Sequence, residues 1–268
     1  MSEAEAIEGA PLPRTRESLA ADLRRLGLDA GMTVLVHSSL SALGWVCGGP
    51  VAVIQALLDA IAPGGTLVMP AHSGDYSDPA NWRHPPVPET WVAIIRDTMP
   101  AFDPRVTPTR RMGRIAELFR TWPGAVRSDH PAVSFAAWGQ HAQRIVAGHA
   151  LDFSLGEQSP LARLYDLDGW VLLLGVGHAN NTSFHLAEYR AGKAKPEVNA
   201  APLMEAGRRV WKSYQDIELD SDRFDALGAA FDAQGYTRTG PVGSATARLF
   251  PQHPAVDFAV HWLSTPGD

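Results

Sequence analysis

Val171 to Glu188 reads VLLLGVGHANNTSFHLAE. Its apolar opening, Val171-Leu172-Leu173-Leu174, is short enough for a buried strand, and Gly175-Val176-Gly177 closes it. Polar residues (His178, Asn180, Asn181, Thr182) then lead into an expected helix carrying His185 and Glu188. Open α/β sheets place ligands where a buried strand ends in a tight turn and hands polar groups to a helix start. Three residues apart on a helix, His185 and Glu188 share a face. A carboxylate beside an imidazole raises its basicity and fixes its tautomer, as a general base requires. Taken alone, the pair also fits an ordinary helical surface contact, and Asn181 or Thr182 an N-cap. The Gly-Val-Gly turn does not make a dinucleotide loop, because position 180 is Asn where that pattern needs its third glycine.

Working outward, the residues upstream alternate helical and strand signals. Arg16 to Leu26 has a helical apolar stripe that stops at Gly27. Thr33-Val34-Leu35-Val36 predicts a buried strand, Pro50 to Ile61 a helix, and Thr66-Leu67-Val68-Met69 a second buried strand. Ala71 to Pro88 is too polar and proline-punctuated for a core element and is expected to be a functional loop. Met112 to Trp122 predicts a helix, Ser134 to Ala137 a strand, and Gln140 to Ala147 and Ser159 to Tyr165 two more helices. Beyond Gly192, Trp211 to Leu219 is expected as strand and Asp222 to Gln234 as helix. Gly240 to Gly243 is expected as a sharp turn, and Val256 to Leu263 as a helix or strand. The alternation implies one α/β domain over 14–268, a three-layer sandwich, preceded by a flexible arm at 1–13.

Composition narrows the class. A chain of 268 residues with 45% hydrophobic and 19% charged residues is an ordinary globular protein. No apolar stretch approaches the roughly 20 residues of a membrane span, and the acidic N-terminus does not resemble a signal peptide. A single cysteine, Cys47, excludes an internal disulfide and fits a reducing, cytoplasmic setting. A net charge of −6 argues against nucleic acid as a partner and is compatible with a cationic substrate. The ten histidines show no tight metal-ligand spacing, so no metal site is expected; a hydrolase using His178, His185 and Glu188 matches no established ligand motif.

Three further constellations carry chemistry. His37-Ser38-Ser39-Leu40-Ser41 through Leu43, Gly44 and Trp45 follows a buried strand and offers hydroxyls and backbone amides to an extended ligand or an anion. The same loop fits a plain strand–helix connection in which Ser38 or Ser39 caps. Thr107 to Arg114, with Thr109, Met112 and Gly113, and Arg127 to Ser134, with Ser128 and His130, concentrate arginines suited to phosphates or to a solvated basic face. Asp75, Asp78, Asp152, Glu157 and Glu188 are acids able to meet ammonium groups, although most surface acids are merely solvated.

The order of these stretches matches a known pattern. VHSSLSALG, PGGTLVMPAHSG, TPTRRMGRIAELFR, RSDHPAVSFAAWG, SPLARLYDLDGWVLLLGVGHANNTSFHLAE and GPVGSATARLF resemble the aminoglycoside 3-N-acetyltransferase family from about Leu23 to about Phe250. Asn181-Thr182-Ser183-Phe184-His185-Leu186-Ala187-Glu188 and Arg127 to Ser134 are the most specific segments. The resemblance implies a three-layer α/β/α sandwich with a mixed central sheet. It also implies acetyl-coenzyme A as co-substrate, and transfer to the 3-amino group of a 2-deoxystreptamine aminoglycoside, conferring antibiotic resistance.

Under that resemblance His185 and Glu188 are the catalytic pair, with Thr182 and Asn181 shaping the pocket. The coenzyme A side comprises His37, Ser38, Ser39, Leu40, Ser41, Leu43, Gly44, Trp45, Thr109, Met112, Gly113, Arg127, Ser128, His130 and Ser134. Loops 71–89 and 150–158, with Asp75, Tyr76, Asp152 and Glu157, face the acceptor together with Glu188. The protein is expected to act as a monomer or homodimer. Two other readings stay open: acylation of a non-antibiotic amine, and a coenzyme A-binding module without chemistry.

Overall fold

The computed structural model of the chain describes residues 3–9 and 12–265. The stretch expected as a flexible arm carries a helix, α1, over Glu3–Glu8. Helix α2 (Arg16–Leu26) follows, its start closed by a capping box between Thr15 and Ser18 and its end by Gly27 at φ 106°. Next come β1 (Thr33–Ser38), α3 (Gly49–Ile61), β2 (Thr66–Pro70), α4 (Glu89–Thr98), α5 (Gly113–Phe119), β3 (Val126–Arg127) and β4 (Phe135–Gly139). The middle of the chain supplies α6 (Ala142–Val146), α7 (Pro160–Tyr165), β5 (Trp170–Leu174) and α8 (Ser183–Ala191). The remainder forms β6 (Pro196–Glu205), β7 (Arg208–Ile217), α9 (Phe224–Asp232), β8 (Arg238–Val242), β9 (Ala245–Pro251) and α10 (Gln252–Ser264).

Seven strands form one mixed sheet in the order β3-β4-β2-β1-β5-β9-β8. The central trio β2, β1 and β5 is parallel, and the strands flanking it run antiparallel. Alternating side chains feed two cores. Val34 and Val36 of β1, with Leu172 and Leu174 of β5, pack with α2, α3 and α5. Leu35, Val171 and Leu173 pack on the opposite face with residues of α6 to α10. A sheet covered on both faces explains why the central strands read as continuous apolar runs. Each fully buried Val or Leu there contributes about 1.5–3 kcal/mol of transfer free energy. The three-layer sandwich is therefore the fold.

Several expectations need correction. The strand expected at 211–219 exists as β7, but it pairs with β6 in a separate two-stranded ribbon that the pattern did not reveal. Pro196 and Pro202 fall within β6, and proline normally argues against strand. Helix α4 was also unforeseen; none of its residues is buried. The residues expected as a sharp turn at Gly240–Gly243 largely belong to β8, and the reversal comes at Gly243-Ser244. Val256 to Leu263 is helical, within α10. Among the described residues no helix is long and apolar enough to cross a membrane.

Candidate active site

The site forms at the carboxyl ends of the parallel strands. β1 and β5 pair in parallel, with His37 opposite Leu173 and Ser38 opposite Leu174, so their following loops emerge on one edge. Ser39 N–H donates to the Leu174 carbonyl (3.0 Å), which ties the two loops together. Gly175 makes the exit from β5 at φ 73°, and a Cβ there would lie 2.6 Å from that of Ala42. Only glycine accommodates both the left-handed conformation and the close approach.

Between these loops lies a cavity of about 750 Å³. One wall is His37 to Ser41 with Gly44 and Trp45; another is Arg111 to Arg114; the third is Ala179, Asn180, Thr182, His185 and Ser221. The start of α3 at Gly49 also opens onto it. Helix N-terminal amides and two arginines on one cavity suit an anionic, extended ligand.

His185 and Glu188 form the expected pair. His185 Nδ1 lies 2.6 Å from Glu188 Oε2, and both side chains are largely buried, at 14% and 8% exposure. The other carboxylate oxygen, Oε1, accepts the Asp220 backbone N–H at 3.0 Å. With both oxygens occupied the carboxylate is fixed, and it selects the Nδ1–H tautomer, leaving Nε2 with a free lone pair. Phe224 packs against the imidazole with ring centroids 4.8 Å apart.

Thr182 Oγ1 sits 3.4 Å from His37 Nε2. Burial, with added repulsion from His185, lowers the His37 pKa to about 3, so its ring is neutral in the working range. His37, expected on the cofactor side, thus also touches Thr182 at the start of α8.

The other expected residues divide. Ser38, Ser39, Leu40, Ser41, Gly44, Trp45, Met112 and Gly113 line the cavity, whereas Leu43 is wholly buried behind it. Thr109 instead donates through its N–H and hydroxyl to Glu117 Oε2, both at 2.7 Å. Asn181 is fully buried and is not a wall residue; its Oδ1 accepts the Ser183 N–H.

The segment from Arg127 to Ser134 does not line the cavity. Arg127 donates to the carbonyls of Thr107 (2.5 Å) and Ala71 (2.6 Å) and to Ser73 Oγ (2.8 Å). Ser128 bonds His149, His130 Nδ1 accepts the N–H groups of Ala132 and Val133, and Ser134 donates to the Ala71 carbonyl. These groups staple the loop after β2 to the sheet.

The acids expected on the acceptor side are likewise engaged. Asp75 pairs with Arg110 (3.5 Å), Glu157 with Arg190 (2.8 Å), and Asp152 accepts the Gln215 N–H (2.7 Å). Tyr76 packs edge-on against Phe102. Asp152 and Glu157 line a separate small cavity with Tyr189. Sequence reasoning missed Ser221 and the Asp220 amide, which arrive from the loop before α9 and carry no motif; Phe224, at the start of that helix, was equally unmarked. Among the described residues no cluster of His, Cys, Asp and Glu is placed to hold a metal ion.

A sequence model described as aminoglycoside 3-N-acetyltransferase matches residues 35–264. The chain belongs to the aminoglycoside 3-N-acetyltransferase family. It is therefore an acyltransferase by family. It is 52% identical over 258 residues to the SPbeta prophage-derived aminoglycoside N(3')-acetyltransferase-like protein YokD of Bacillus subtilis (strain 168), covering 96% of this chain and 95% of that one. The crystal structure of YokD matches with a TM-score of 0.95 over 97% of each chain. AAC-IIIb, solved as a binary complex with CoASH, is 33% identical with a TM-score of 0.84, covering 96% of this chain and 100% of that one. AAC-VIa, solved bound to sisomicin, is 32% identical with a TM-score of 0.84, covering 94% and 98%. Within this acetyltransferase family the cavity, the His185–Glu188 pair and the loop after β1 form the candidate active site.

Proposed function

We propose that the protein transfers an acetyl group from acetyl-coenzyme A to the 3-amino group of a 2-deoxystreptamine aminoglycoside, with His185 as general base. The observation that carries this reading is the His185–Glu188 pair, 2.6 Å apart, on a cavity whose opposite walls offer backbone amides and arginines. Acetyl-coenzyme A, the co-substrate of this family, supplies an activated acyl carbon and a thiolate leaving group.

An alkylammonium becomes nucleophilic only after losing a proton, so a base must be held beside it. His185 Nε2 takes that proton, and the buried Glu188 carboxylate stabilises the imidazolium that forms. The amine nitrogen bonds to the acyl carbon, and the carbon–sulfur bond breaks with its electron pair on sulfur. The proton on His185 is then available to that sulfur. Arg111, Arg114 and the start of α3 would hold the anionic part of the donor. The solved complexes of AAC-IIIb with CoASH and of AAC-VIa with sisomicin support both ligand classes by relationship.

Thiol release from acetyl-coenzyme A, followed with a panel of aminoglycosides, tests this reading. Turnover on at least one compound, abolished in His185→Ala, is the expected result; no turnover on any compound overturns the acceptor assignment. One observation favours a second acceptor class, an amine of lower charge. Asp75 and Glu157 are held by arginines and Asp152 by a backbone amide, so none of the three is unengaged for an ammonium group. Turnover on simple amines but not on aminoglycosides would establish that alternative.

A further inference from the structure

Thr182 occupies the N-cap position of α8, where a threonine hydroxyl ordinarily accepts a backbone N–H of the first turn. Here its side chain makes no capping bond. Its hydroxyl instead faces His37 Nε2 at 3.4 Å, and both residues line the cavity with His185. His37 is 5% exposed and lies within a central strand, one residue before its end, so its ring is held in place. A contact of this length is typical of an unliganded catalytic site and tightens with substrate in place.

We propose that His37 is a positioning residue that turns the Thr182 hydroxyl into an oriented donor for the acyl oxygen. His37 Nε2–H donates to Thr182 Oγ1, and the hydroxyl proton is thereby directed into the cavity. When the acceptor amine attacks, negative charge develops on the acyl oxygen, and the Thr182 O–H stabilises it. A neutral imidazole with its proton on Nε2 can serve this purpose across the working pH range. Were Nε2 unprotonated, the hydroxyl would donate to it and have no proton left for substrate. The inference rests on the acetyl-transfer reading given above, in which His185 handles the amine proton and a second group must meet the oxygen.

The test combines kinetics with a measurement that needs no activity. His37→Phe removes the donor while filling the space; His37→Gln restores an N–H near the same place. Removing a direct oxyanion donor costs about 10²–10³ in kcat, so Thr182→Val should fall in that range. His37→Phe, acting through Thr182, should lose about 10- to 100-fold in kcat with the KM for acetyl-coenzyme A within about twofold of wild type. His37→Gln should recover most of the loss. The double variant His37→Phe/Thr182→Val should be no slower than Thr182→Val alone, because the two act as one unit. Additive losses, or a His37→Phe kcat within about twofold of wild type, would overturn the proposal. Nitrogen-15 NMR of the imidazoles in the wild-type protein supplies the second arm. The expected result is a neutral His37 ring carrying its proton on Nε2 at pH 7; a proton on Nδ1 refutes the proposal even if no acceptor amine has been found. Absence of turnover on any amine with the Nε2–H form present would instead count against the acetyl-transfer reading.

Discussion

Replacing Glu188 by Gln isolates the charge of the His185–Glu188 pair from its shape. In the native site one carboxylate accepts two N–H groups, from His185 Nδ1 (2.6 Å) and from the Asp220 backbone (3.0 Å). A carboxamide has a single oxygen, so one of the two donors loses its acceptor and faces an NH₂ group. Leaving a buried donor unsatisfied costs about 1–3 kcal/mol, and exchanging a charge-assisted bond for a neutral one removes about 1 kcal/mol more. The ground state shares part of that cost. The fraction felt when His185 becomes imidazolium is about 1–3 kcal/mol, or roughly 5- to 150-fold in kcat. Glu188 itself does not line the donor cavity, so the KM for acetyl-coenzyme A should stay close to wild type. Steady-state thiol release with saturating acceptor measures both constants, and a thermal melt confirms that the variant is folded. A kcat within threefold of wild type in a folded protein would refute the role given to the carboxylate.

Three other outcomes follow from the geometry. Arg111→Ala and Arg114→Ala should each raise the KM for acetyl-coenzyme A about tenfold with little change in kcat, since charge-assisted bonds to an anion contribute about 1.5 kcal/mol; an unchanged KM in both would remove this wall from the donor site. Arg127→Ala should leave that KM unaltered but lower stability in urea by roughly 3 kcal/mol, because three carbonyls and two hydroxyls lose a charged donor; a raised KM with intact stability would place Arg127 on the cofactor side. Stability should also fall as pH drops from about 6.5 toward 4. Burial, then repulsion from His185, lowers His37 to about 3; burial lowers His149 to about 4; and burial, then repulsion from His149, holds His130 well below its ordinary value. The unfolded chain binds these protons first, so each histidine contributes a loss approaching about 1.4 kcal/mol per pH unit in that window. Urea melts at pH 7, 6 and 5 check the slope, and equal stability at all three would show that these rings are not held neutral by the fold.

What the sequence reveals, and what it hides, follows from where each physical signal resides. The strands at Val34 and Val171 were legible because burial on both faces demands unbroken apolar runs. The His185–Glu188 pair was legible because helical spacing places both on one face. The ribbon of β6 and β7 was not, because it lies outside the main sheet and tolerates Pro196 and Pro202 within a strand. Helix α4 buries no residue, and its helical spacing of Trp91, Val92, Ile94 and Ile95 went unread behind the proline-rich loop. The Asp220 amide that fixes Glu188 is a backbone group, and backbone donors leave no residue-type signature. Arg127 to Ser134 shows that a motif alone does not separate the two roles: a side chain spent on stapling a loop is as constrained as one touching a ligand.

His37 shows how strand parity assigns chemistry. Along β1, Val34 and Val36 face the core shared with α3 and α5, and Leu35 faces the core shared with α8. Two residues beyond Leu35, His37 falls on the α8 side, which is where Thr182 stands at 3.4 Å. A one-residue slip of β1 would exchange the two faces and carry the imidazole away from α8. The register that pairs His37 with Leu173 is therefore a condition of the site as much as of the fold. It also explains why the strand can carry a histidine next to its last residue. Its ring gains contact with a hydroxyl and a cavity wall in place of one more apolar neighbour, and that exchange stabilises nothing the core requires. A residue kept at such a position is expected to affect kcat far more than the melting temperature, which is the distinction that the His37→Phe and His37→Gln pair measures.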